Sequence, residues 1–79
     1  MPRNKSEKRT SCPEAMAYVH ASRRCLLTGD KSRMNQAWAH MPNWVGGRIL
    51  TECGSRHTAD SEAIWRHTVI AFIETNFTT

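Results

Sequence analysis

Large aliphatic residues are scarce in this chain: Leu, Ile, Val and Phe together fill 12 of its 79 positions. So few would imply disorder if the net charge were high, but the charge is only +4, and three Trp and four Met add bulk. A single folded domain is expected, with little stability to spare at this length. Such a chain gains from a partner, which could be a second copy in a homodimer, a protein target or a metal. No run approaches the ~18 apolar residues of a membrane span, and no apolar segment follows the N-terminus as a secretion signal would require. The three cysteines are odd in number and widely spaced, which argues against a disulfide framework. Reduced thiols, a cytoplasmic location and no membrane partner are therefore expected.

Catalytic signatures are missing as well. The sequence has no Gly-x-Ser-x-Gly elbow, no Gly-rich loop ending in Gly-Lys-Ser/Thr, and no His-Glu-x-x-His. The segment Trp44-Val45-Gly46-Gly47-Arg48 lacks the flanking strand and helix of a phosphate loop. A non-enzymatic protein that acts by binding is the expectation.

What the sequence does contain is an uneven charge. Residues 1 to 50 carry nine Lys and Arg against three acids, a balance of +6, whereas residues 51 to 79 carry two against four, a balance of −2. The basic half suits nucleic acid or an acidic protein surface as partner. Residues 1 to 11 hold four bases, one acid and no apolar residue after Met1. They read as a disordered basic arm, leaving residues 12 to 79 as one domain.

The domain reads as all-α, with three or four helices. Cys12-Pro13-Glu14 places Pro at a helix start, and the helix should run to about Leu27 with Ala15, Met16, Val19, Leu26 and Leu27 on its packing side. Thr28-Gly29-Asp30 supplies a stop and the next cap. Lys31 to Met41 puts Met34, Ala37, Trp38 and Met41 on one face and Arg33, Gln36 and His40 on the other, and Pro42 ends it. Gly46-Gly47 argues for a loop, followed by a short helix or strand from Arg48 to Cys53. Asp60 or Thr58 should cap a last helix that buries Ile64, Trp65, Thr68, Val69, Phe72 and Ile73 and leaves Arg66 outward, before residues 76 to 79 fray. Because β-branched residues are frequent there, an α+β alternative has short strands at 48–53 and 68–77.

Four sets of residues bear on function. The first two helices and their Gly-containing turn resemble a helix-turn-helix in spacing, with Arg23, Arg24, Lys31, Arg33, Gln36 and His40 available to phosphates and bases. Ser32 and Asn35 depart from it, standing where that motif wants apolar residues. Met34, Trp38, Met41 and Trp44 are side chains of the kind that form protein-binding hot spots, so a small inhibitor or adaptor is the alternative function. Cys53 and His57 have a spacing that suits one zinc ion, although two further ligands would be needed, and no other cofactor is expected. Cys12, at a helix start near Lys8 and Arg9, has a motive for thiolate reactivity but no base close in sequence.

Overall fold

The computed structural model describes residues 9–79, so the part of the expected basic arm at residues 1–8 lies outside the described residues. The elements are β1 (Thr10–Ser11), α1 (Pro13–Thr28), α2 (Ser32–His40), α3 (Asn43–Cys53), α4 (Glu62–Asn76) and β2 (Phe77–Thr78). Four helices thus form a small all-α domain, closed by a two-stranded parallel sheet. Among the described residues no helix is long and apolar enough to cross a membrane.

The helix stops follow the expected chemistry, while the starts of α2 and α4 differ. Pro13 opens α1, and Gly29 ends it in the left-handed conformation, φ 78°, donating its N–H to the Cys25 carbonyl at 2.7 Å. Asp30 accepts from the Ser32 N–H at 3.0 Å and from its hydroxyl at 2.8 Å, which supports the first turn of α2 although the formal cap residue is Lys31. The cap of α4 is Ser61 rather than Asp60 or Thr58: its hydroxyl accepts from the Ile64 N–H at 3.1 Å.

Gly46-Gly47 does not interrupt α3. Two glycines cost a helix about 1 kcal/mol each. Val45 and Ile49, one turn apart, are both fully buried, and each contributes about 1.5–3 kcal/mol. Burial therefore outweighs propensity, and the loop expected over these residues is a helix.

The core is built from Ala15, Tyr18 and Val19 of α1, Val45 and Ile49 of α3, and Trp65, Val69 and Ile73 of α4, with Met34, Met41 and Phe77 closing its edges. Two buried faces differ from the expected ones. In α1 the stripe runs through Tyr18, Ser22 and Cys25, leaving Leu27 86% exposed. In α4 it is rotated by about one residue, so that Arg66 and Ile70 are buried while Ile64 and Thr68 are exposed. The rotation lets Trp65 Nε1 donate to the Gly54 carbonyl at 2.7 Å and brings Arg66 to Tyr18.

Both ends of the domain are ordered. Thr10 pairs with Phe77 and Ser11 with Thr78, and the Cys12 N–H continues the ladder to the Thr78 carbonyl at 2.7 Å. Thr10 and Ser11, expected in the arm, therefore belong to the fold, and residues 77–78 form a strand instead of fraying. Phe77, fully buried, is what holds them. The α+β alternative placed strands in the wrong segments, since residues 48–53 lie in α3 and 68–76 in α4.

Candidate nucleic-acid interface

Helices α1 and α2 make the most extensive helix–helix contact in the fold. Met34 fixes the inner face of α2, and Trp38 packs edge-on against Tyr18 with ring centroids 5.3 Å apart. The spacing of Arg33, Gln36 and His40 then turns all three outward, and all are exposed. Ser32 and Asn35 are exposed too, so the two polar residues that break the helix-turn-helix pattern carry no burial penalty here.

The six residues expected to meet nucleic acid divide into two groups. Arg23 is ion-paired with Glu74, and Lys31 Nζ lies 3.7 Å from Glu62, so both reach back to α4. Arg24, Arg33, Gln36 and His40 make no ion pair among the described residues and remain on the surface. Asp30 stands at the turn between them. Its carboxyl is held below the usual range first by the Ser32 N–H and hydroxyl, then by the charges of Arg33 and Arg24.

The expected protein-binding face is largely internal. Met34 and Met41 are buried and Trp38 is half-buried, because a domain this poor in aliphatic residues needs them in its core. Trp44 stays 51% exposed, its ring 5.8 Å from that of Phe77. Trp38, Met41, Pro42, Gly46 and Leu50 line a separate shallow cavity of about 420 Å³, which Trp44 does not line.

The thiols and imidazoles are dispersed. Cys53 is half-buried at the end of α3, its thiol pushed up by burial and then by Glu52, while His57 is exposed in the following loop. Among the described residues no three His, Cys, Asp or Glu side chains gather as a metal site would need. Cys12 is buried, its Sγ donating to Glu14 at 3.7 Å, so it is not the accessible nucleophile that its position suggested.

One cluster was not anticipated. Arg66, only 2% exposed, donates to Tyr18 Oη at 3.2 Å, to Met34 Sδ and to the Glu62 carboxylate. The Tyr18 hydroxyl is raised above its ordinary value by burial, against the opposing effects of Ser22 and Arg66, and Glu62 is lowered chiefly by the hydrogen bond from Arg66. The Ser22 hydroxyl, buried one turn from Tyr18, makes no hydrogen bond of normal geometry among the described residues. The spacing of Glu62 and Arg66 was the available signal, since residues four apart on a helix face each other.

Compared with protein-family models, with curated proteins and with solved structures, the chain matches none. The arrangement of its own residues is thus the only guide to function.

Proposed function

We propose that the protein is a small non-enzymatic regulator that works by occupying nucleic acid through the outward side of the α1–α2 pair. The observation supporting this most directly is the surface of Arg33, Gln36 and His40 on α2, flanked by Arg24 and free of internal ion pairs among the described residues. Arginine pairs with phosphate or with guanine edges, and glutamine matches the donor–acceptor edge of adenine. Arg23 and Lys31 are secondary contacts, since each must leave an acid on α4 to reach a phosphate. Three free cysteines accord with a reducing compartment such as the cytoplasm.

The test is binding to labelled duplex and single-stranded DNA and RNA across a salt titration. Each phosphate contact contributes about −0.9 to the log–log slope on duplex, so the helical pair predicts a slope of about −2 to −4. R24E/R33E should abolish binding with an unchanged circular dichroism spectrum. Undiminished binding by that variant, or no binding by the folded wild type at ~50 mM salt, refutes the reading.

A second reading, a small inhibitor or adaptor docking on another protein, is supported by the exposed indole of Trp44. Trp44→Ala separates the two, because it should impair docking on a protein and leave nucleic-acid affinity unchanged.

A further inference from the structure

The Arg66 cluster forms the wall of a second cavity, of about 210 Å³, bounded by Tyr18, Asn35, Trp38, Arg56, Trp65 and Arg66 together with Met34. Among the described residues its charged lining groups are the two arginines. Of the five N–H donors of Arg66, three are engaged by Tyr18, Met34 and Glu62, and the other two have no acceptor among the described residues. Arg56 is exposed and makes no ion pair among them. Glu62 does not line the cavity but neutralises Arg66 from outside it, so among the described residues Arg56 supplies the unpaired positive charge of the lining.

The remaining wall is aromatic. Trp38 and Trp65 have ring centroids 6.4 Å apart at 55°, which is too close to admit a third ring between them. A planar guest would lie against the surface the two indoles form together. Size narrows the guest further: at ~30 Å³ per water the space equals about seven waters, below the ~300 Å³ at which drug-sized sites begin. A volume of this size suits one ring carrying one small charged group.

We propose that this cavity is a binding site for a single-ring aromatic carboxylate. Arg66 and Arg56 hold the carboxylate, the ring rests on Trp38 and Trp65, and the Asn35 amide and Tyr18 hydroxyl stand ready for ring substituents. The buried guanidinium is thereby more than a structural ion pair. This proposal is independent of nucleic-acid binding, which uses the opposite face of α2.

The experiment is a titration of the whole chain with benzoate, benzyl alcohol and acetate, read by tryptophan fluorescence and by melting temperature. Benzoate should bind saturably with a Kd on the order of 1 mM, and the other two about tenfold more weakly or worse. Arg66→Met also removes the hydrogen bond to Tyr18, so Arg56→Gln is the principal variant; Arg56 is exposed and its replacement should weaken benzoate at least ~3-fold with the apo melting temperature unchanged. Absence of saturable benzoate binding at ~10 mM overturns the proposal. So does benzyl alcohol or acetate binding as tightly as benzoate, or Arg56→Gln binding like the wild type.

Discussion

Removing Glu62 should damage the fold more than removing the buried arginine it neutralises. Arg66 is 2% exposed, and its strongest acceptor is the Glu62 carboxylate, whose side chain is 40% exposed. Glu62→Ala leaves a guanidinium in the interior with, among the described residues, a phenol and a thioether as its remaining acceptors. Stranding one member of a buried pair costs ~3–5 kcal/mol. Water can reach the Glu62 side, which reduces the expected loss to about 2 kcal/mol. Arg66→Met removes the charge itself and keeps apolar volume, a change that is commonly neutral or stabilising for buried pairs. The Tyr18 hydroxyl then loses a donor, at about 1 kcal/mol, so the net change should stay within about 1 kcal/mol of zero. Urea unfolding followed by circular dichroism measures both variants, and the double variant should match Arg66→Met alone. For a domain with only ~3–5 kcal/mol in hand, Glu62→Ala should lose about half its midpoint concentration. The reverse order, with Arg66→Met the more damaging, would refute this account of the cluster.

Acid should act through the same carboxylate. Glu62 and Asp30 both titrate lower when folded, so their contribution is complete above the unfolded values of 4.5 and 3.8 and is lost as pH falls through the folded ones. Melting temperature should therefore drop below about pH 4.5, less steeply in Glu62→Gln. At the alkaline end Tyr18 titrates higher when folded, so its contribution is complete below 10 and fades as pH rises beyond it, which ultraviolet titration of the one tyrosine can follow. Gly47→Ala should raise stability by about 0.5–1 kcal/mol, since a methyl group there meets no atom within 4 Å and the helix loses a poor former. Phe77→Ala should cost about 3–5 kcal/mol and leave the chain largely unfolded at room temperature, seen as loss of the helical circular dichroism signal.

The amphipathic pattern of residues 31 to 41 was legible because one helix face carries all its large apolar groups and a proline stops it. The α1 stop at Gly29 was legible for a similarly local reason. What hydrophobicity patterns missed was burial of residues that do not look apolar. Ser22, Tyr18 and Cys25 carry the α1 stripe, whereas Leu27, which looks like core, is on the surface. In α4 a single arginine decides the rotation, since its acceptors lie on α1, α2 and α4, and no window of neighbouring residues contains all of them. The α3 helix was hidden by glycine propensities that packing overrides. For the proposed interface the types and spacing of the residues were legible, but ion pairing was not: that Arg23 and Lys31 are engaged by Glu74 and Glu62 depends on how α4 crosses the first two helices.

The two-residue sheet also sets how the molecule opens. A strand this short would ordinarily exchange its amide hydrogens by local fraying. Here Ser11 and Thr79 meet across 68 residues of chain, and the segment between them includes every helix. Releasing the pairing withdraws the fully buried Phe77 from the core. The Cys12 amide should accordingly exchange as slowly as the interior of α4, making the seam at the chain's ends a reporter of global unfolding.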